Sequence, residues 1–289
     1  MSDATKMLDP ETDGRLIATQ HAFDSVAENY DGPRGNNALI QRMRDEVWAE
    51  MNRQFAVGQM LLDLGCGTGI DALHFAQQGY RVLATDWSPQ MVARAADRAM
   101  QHGVTNNLIA KHIGLHELEN LDASFHATFD GIYSNFGPLN CAPDLAQVSR
   151  QCARLLRPGG KLVFTVIGRI CPWEVAHYLV KRRFKRATVR FAKQMTSVNL
   201  NKHTVWTRYY TPREFYTAWS ADFELTHYRA FSLFVPPPYL TWIERTPTML
   251  RRLAWLDDHL GRWPLLRDAG DHFLMVLTKR GVPREAVNT

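Results

Sequence analysis

The stretch Asp63-Leu64-Gly65-Cys66-Gly67-Thr68-Gly69 closes a short apolar run, Met60–Leu64, and opens onto a segment with helical spacing, Asp71–Gln78. Three glycines spaced by two let a ligand approach the backbone with no Cβ in the way. The helix that follows offers free N–H groups and a partial positive charge. Two carboxylates flank the loop. Asp63 stands two residues before the first glycine, and Asp86 falls 19 residues after Gly67, at the end of the next apolar run. A carboxylate in that second position can accept from both hydroxyls of a ribose. Two ligand chemistries compete for such a site. A dinucleotide oxidoreductase reads GxGxxG, whereas here the third glycine comes one residue early, with Ile70 in the expected place. An acid at position 63 suits an ammonium group and gains nothing from a pyrophosphate.

These residues need a frame. Short apolar runs at Met60–Leu64, Arg81–Thr85, Asn107–Ile113, Phe129–Ser134 and Lys161–Ile167 predict strands. Helical spacing separates them, at Met91–His102 behind the cap Ser88-Pro89 and at Asp144–Leu156 before Arg157-Pro158-Gly159-Gly160. Strands alternating with helices at this interval predict a doubly wound parallel α/β sheet. Upstream, Ala22 to about Phe55 carries two helices broken at Asp31-Gly32-Pro33, and the first 15 to 20 residues are expected to be flexible. Downstream, Trp173–Gln194 predicts one long, basic, amphipathic helix, Val198–Tyr210 an extended segment, and Phe223–Val235 and Phe273–Leu277 two more strands.

Composition sets outer limits. The chain has 289 residues, 45% hydrophobic and 22% charged, enough apolar material for a large core. Its net charge of +5 does not by itself call for nucleic acid. Cysteines 66, 141, 152 and 171 form no Cys-x-x-Cys pair, which argues against a disulfide framework or a cysteine-rich zinc site, and no metal is expected. The polar, acidic stretch Met1–Asp13 is unlike a secretory signal, and no apolar run nears the roughly 20 residues a membrane span needs. The expectation is a cytoplasmic protein.

The motif Asp63-Leu64-Gly65-Cys66-Gly67-Thr68-Gly69 followed by Asp86 resembles that of the class I S-adenosylmethionine-dependent methyltransferases of small-molecule type. Phe23–Asp31 resembles their N-terminal helix that closes over the cofactor, and Leu155–Leu162 the turn before their fifth strand. The resemblance implies a Rossmann-like, mostly parallel seven-stranded sheet with an antiparallel last strand, an N-terminal helical cap and two lid-like insertions. It places one methyltransferase domain over 21–289, with insertions at about 169–210 and 236–267. It also implies S-adenosylmethionine as cofactor, held by Tyr30, Asp63, Gly65, Gly67, Gly69, Asp86, Trp87, Leu115, His116 and Asn135. Asp63 would face the ammonium, Asp86 the ribose and Trp87 the adenine. Leu115 departs from the pattern, standing where many members carry an acid that meets the adenine amino group.

The acceptor pocket is expected beyond the carboxyl ends of the strands, with Phe136, Asn140 and Tyr210 in its wall and His203, Tyr209 and His227 as candidate catalytic groups. Both insertions are rich in aromatic and aliphatic residues, which suits a small or medium-sized apolar acceptor such as a lipid, polyketide or terpenoid of secondary metabolism. Asn135-Phe136-Gly137-Pro138 is not the Asn-Pro-Pro-Tyr of base and amide N-methylation, so no nucleic-acid partner is expected. The run between Lys181 and Arg190 has six basic residues beside an apolar stripe, a pattern that suits an anionic membrane surface, an acidic substrate or a solvated helix face. A dinucleotide oxidoreductase and a non-catalytic cofactor-binding scaffold are the alternatives.

Overall fold

The computed structural model describes residues 9–33 and 35–281. Helix α1 spans Pro10–Asp24, so the chain is helical where a flexible terminus up to about residue 20 was expected. The reason is local: Asp9 caps the helix by accepting from the backbone N–H groups of Glu11 and Thr12, with proline at the first turn. Residues 1–8 of that expected segment lie outside the described residues. Helix α2 (Ala38–Gln54) follows a short turn at Ala27–Asn29.

Strands and helices then alternate: β1 (Met60–Leu64), α3 (Ile70–Gln77), β2 (Arg81–Asp86), α4 (Pro89–Gln101), β3 (Leu108–His112), β4 (Phe129–Ser134), α5 (Leu145–Leu155) and β5 (Leu156–Ile167). After them come α6 (Pro172–Val180), α7 (Phe184–Ala187), a hairpin of β6 (Thr196–Leu200) and β7 (His203–Thr207), α8 (Pro212–Thr217), β8 (Phe223–Phe231), α9 (Pro247–Leu260) and β9 (His272–Lys279). Seven strands form one sheet in the order β3-β2-β1-β4-β5-β9-β8. Only β9 runs against the others. This is the expected Rossmann-like sheet with its antiparallel last strand.

Both faces of the sheet are buried, as a parallel sheet requires. Along β1, Leu62 and Leu64 face a cluster with Val148, Cys152, Phe215 and Trp219. Leu61 faces the other way, onto Val47, Met51 and Phe75 of α2 and α3. The strand period of two thereby sends Asp63 to the α2/α3 side, at the carboxyl edge of the sheet.

Two expectations need correction. The basic segment is not one helix: α6 stops at Val180, Arg182 takes φ = 55°, and only the four-residue α7 and a short turn follow. Arg190 is buried rather than on the basic face. The second insertion reaches the cleft at the sheet edge only through Pro238. Its Ile243 and Ala254 pack with Leu39 and Val235, and Asp257 accepts from the backbone N–H groups of Leu233, Phe234 and Val235. The first insertion roofs the sheet edge instead. Its hairpin lies on α1, with the Trp206 N–H donating to Thr19 Oγ1 at 3.1 Å and Arg15 stacked on the Trp206 ring.

Candidate active site

The three loop glycines do different work. Gly65 (φ = 75°) has no room for a Cβ, which would fall 2.2 Å from Pro138. Gly69 (φ = 79°) is the N-cap of α3, and a Cβ there would fall 2.8 Å from Ala95 of α4. Gly67 faces open space, with only the Tyr30 ring 3.9 Å from a built Cβ. Two of the glycines are therefore demanded by packing, and Gly67 is the one that offers bare backbone to a ligand. The loop is tied to β2: the N–H groups of Gly65 and Cys66 donate to Thr85 O, and Gly67 N–H donates to Asp86 Oδ2 at 2.8 Å. Ser88 N–H donates to the other Asp86 oxygen at 2.8 Å.

A cavity of about 450 Å³ opens on this loop, inside the usual range of small-molecule sites. Its first half lies over β1, β2 and β3 and is lined by Asp63, Gly65, Gly67, Asp86, Trp87, Leu115 and His116. Gly69 is not in its wall. Trp87 is held between imidazoles, stacked on His112 and edge-on to His116 with centroids 5.2 and 4.6 Å away. Burial lowers the His116 pKa, so its ring is neutral near pH 7. From above, Phe23 and Tyr30 close the cavity. That cap is pinned by Asp31, which accepts from Thr68 Oγ1 at 2.7 Å and pairs with Arg98.

The electrostatics of this half favour a cation. Asp63 is 2% exposed, and burial, reinforced by the neighbouring Asp71 charge, pushes its carboxyl well above the usual range. Among the described residues neither its Oδ2 nor Asn135 Oδ1 has a hydrogen-bond donor of good geometry, although the Tyr133 hydroxyl neighbours Asp63. Both residues line the cavity. Asn135 is held by donating to Asp71 Oδ2 at 3.0 Å, and Asp71 in turn accepts from Arg44 at 2.6 Å and Trp48 at 2.9 Å. Two buried acceptors aimed at one space and lacking such donors fit an ammonium group. Asp86 remains able to accept further hydroxyl protons on its free lone pairs. The residues present therefore fit S-adenosylmethionine.

The second half of the cavity lies over β4, β5 and β9. Its wall is Phe136, Ile167, Val198, Leu200, Val205 and Tyr209, with His272 at the start of β9. Phe136 holds φ = 62°, its N–H donating to Thr165 Oγ1 at 2.8 Å. Burial pushes the Tyr209 hydroxyl up to about 12, so it is a donor at neutral pH and no base.

Four expected site residues stand elsewhere. Asn140 is fully buried as a strut, donating to Ile167 O and Arg208 O and accepting from Ile167 N–H. Tyr210 belongs to the core, edge-on to Phe215. His203 is exposed at the hairpin turn. His227 lies on β8 with Nε2 3.3 Å from Glu50 Oε1, a carboxyl that His227, Arg53 and Gln54 hold well down against the effect of burial. Arg44, Asp71 and His272 were missed. Asp271-His272 had one legible signal: an antiparallel last strand begins where parallel strands end, so its first residue falls at the ligand edge.

Comparisons with known proteins agree with this geometry. Residues 61–160 match the methyltransferase-domain family. The chain is 32% identical over 155 residues to a demethylmenaquinone methyltransferase of Corynebacterium urealyticum, covering 53% of this chain and 60% of that protein. It is 31% identical over 140 residues to a ubiquinone biosynthesis O-methyltransferase of Xanthomonas oryzae pv. oryzae, covering 48% and 55%. The chain thus spans little more than half the length of the curated relatives it matches. Among solved structures, the 1,6-didemethyltoxoflavin-N1-methyltransferase of Burkholderia thailandensis superposes with a TM-score of 0.56 at 17% identity, over 97% of this chain and 94% of that one. At that identity the likeness speaks for the fold alone. Residues 61–160 are thus similar to the methyltransferase-domain family, and the sheet around them has the fold of the solved methyltransferase.

Proposed function

We propose that this chain methylates a small or medium-sized, largely apolar metabolite with S-adenosylmethionine, through one domain over residues 21–289. The observation that carries the reading is the single cavity that joins a cation-seeking half at Asp63, Asn135 and Asp86 to an apolar half at Phe136, Ile167, Leu200 and Val205. The cofactor, when bound, supplies a methyl group already activated by its sulfonium. Asp63 and Asn135 anchor the ammonium, Asp86 the ribose, and Trp87 with Leu115 and His116 the adenine. The α1 cap and the β6–β7 hairpin exclude water from the acceptor. A lipid, polyketide or terpenoid acceptor suits the apolar wall, and the two curated relatives carry names from quinone biosynthesis. On the same reading, the exposed basic residues between Lys181 and Arg186 meet an anionic membrane surface.

The dinucleotide alternative fares worse, because a pyrophosphate gives no donor to Asp63 Oδ2 or Asn135 Oδ1. Calorimetric titration with S-adenosylhomocysteine should show binding in the micromolar range, weakened more than tenfold in Asp86→Ala. Incubation with labelled S-adenosylmethionine and cell extracts should put label into small molecules. Binding of NAD in place of S-adenosylhomocysteine would return the oxidoreductase reading. Cofactor binding with no labelled product in any extract would favour a scaffold, and label confined to protein or RNA would contradict the acceptor class.

A further inference from the structure

We infer that His272, positioned by Asp271, is the general base on the acceptor side of this cavity and takes the proton of a hydroxyl or amine acceptor as its methyl bond forms. The inference rests on the methyltransferase reading. Because β9 runs antiparallel to the rest, its first residue lies at the carboxyl ends of the parallel strands, in register with Ile167 at the end of β5. His272 and Asp63 thereby line one cavity from opposite halves.

One side of the ring faces a carboxylate, although Nδ1 makes no hydrogen bond of good geometry to it. Nδ1 stands 3.0 Å from Asp271 Oδ2, and the His272 side chain is 10% exposed. A carboxylate at Nδ1 favours the tautomer with its proton there and leaves the Nε2 lone pair free. Among the described residues no protein group hydrogen-bonds Nε2. Asp271 is itself anchored: Arg190 Nη2 reaches its Oδ1 at 2.7 Å, and Nη1 donates to its backbone oxygen at 3.0 Å. The same Nη2 reaches Glu174 Oε2 at 2.7 Å, which also accepts from the Tyr239 hydroxyl at 2.9 Å. Burial alone would raise the Asp271 carboxyl, but Arg190 and His272 outweigh it and hold it ionised.

The charged groups around the ring are Asp271 on its own strand, Arg190 on the turn at Val189–Phe191, Glu174 on α6, and Arg44, whose guanidinium lies 5.0 Å from the Phe136 ring centroid. Arg44 is neutralised by Asp71. The other acceptor-side groups cannot serve at neutral pH, since burial pushes the Cys141 thiol and the Tyr209 hydroxyl up to about 12.

The step balances without a co-reactant. The acceptor oxygen or nitrogen forms its bond to the methyl carbon, the carbon–sulfur bond breaks with its electron pair kept by sulfur, and the acceptor proton passes to Nε2 and then to solvent.

The test uses the full chain, labelled S-adenosylmethionine and an organic cell extract, read as the initial rate of label entering extractable product. His272→Gln should lower the rate at saturating extract about 100-fold or more, within the range of general-base catalysis. It should also remove the ionisation that limits the wild-type rate on the acid side. S-adenosylhomocysteine affinity should stay within threefold of wild type. A proton NMR titration of the ligand-free protein, with His272 assigned by its loss in the variant, should show an imidazole titrating at the pH of that limb. His272→Ala with added imidazole should recover rate, which a merely structural role would not allow. Undiminished labelling and an unchanged pH profile in His272→Gln, with cofactor binding intact, overturn this inference alone. Failure of the wild type to bind S-adenosylhomocysteine overturns the reading beneath it and this inference with it.

Discussion

Asp63 shows how a binding residue is held at a cost to the ligand-free fold. A carboxylate at 2% exposure, with an oxygen that has no well-placed donor among the described residues, is stabilised further when a cation arrives. Its pKa lies well above 3.8, so its favourable contribution to stability is full below that value and is lost as pH rises through the raised pKa. Ligand binding has the opposite sense, because an ammonium prefers the ionised form. Affinity for S-adenosylhomocysteine should therefore fall as pH drops through the raised Asp63 pKa, earlier than an ordinary carboxylate would allow. Asp63→Asn should flatten that limb, weaken binding about tenfold or more, and stabilise the ligand-free protein at pH 7 by about 1–3 kcal/mol, the usual cost of an unsatisfied buried polar group. Calorimetry across the whole pH range in which the protein stays folded, and thermal melts of both proteins, decide it. Wild-type affinity flat across that range would remove Asp63 from the ammonium site.

The break after α6 marks where sequence reasoning reaches its limit. Lys181 caps the helix, Arg182 N–H donates to Leu179 O, and Arg183 N–H donates to Tyr178 O at 2.8 Å, the paired closure of a Schellman motif. The left-handed position in that motif is usually glycine, and glycine is the signal by which a helix end is read. Here arginine occupies it, so the apolar spacing of Val175, Ala176, Leu179, Val180 and Phe184 ran on as if through one helix. Arg182→Gly should raise stability by about 1 kcal/mol, since the left-handed region costs an L-residue roughly that much. Denaturant unfolding measures it, and a loss of stability would mean that the arginine stem makes a contact that offsets the strain. Elsewhere local signals agreed with the fold. The strand period, the Ser88-Pro89 cap and the glycine loop made the parallel sheet and the cofactor half legible. The acceptor half was legible only at Phe136 and Tyr209, because Asn140, Tyr210 and His227 are sorted by long-range register that no local pattern carries.

At the scale of the molecule, the wall of the cavity and the basic segment are linked through one stretch of chain. Pro238 lines the cavity, and the next residue, Tyr239, is half exposed and hydrogen-bonds Glu174 on α6. Trp173 of α6 stands 6.2 Å from Trp242, itself exposed. From there Leu179, Val180 and Phe184 project to solvent, Val180 at 85% exposure, interleaved with the exposed Lys181, Arg182, Arg183, Lys185 and Arg186. None of these five cations has an ion-pair partner among the described residues. With Arg190 spent on Asp271 and Glu174, five residues rather than six are free to meet a surface. No described helix is long and apolar enough to cross a membrane. Exposed apolar side chains would insert at the boundary while each nearby cation adds about 1 kcal/mol against an anionic leaflet, within a Debye length. An apolar acceptor dissolved in that leaflet would then reach the cavity without crossing water. Flotation with vesicles should increase with anionic lipid content and fall steeply with salt. Changing Arg182, Arg183 and Arg186 to Gln should lower vesicle partition up to about 100-fold at low salt, the equivalent of three such cations, with S-adenosylhomocysteine affinity unchanged. If the triple variant floats as well as the wild type, or neither floats, the membrane reading fails. A fall in turnover without any change in flotation would assign the cations to the acceptor itself.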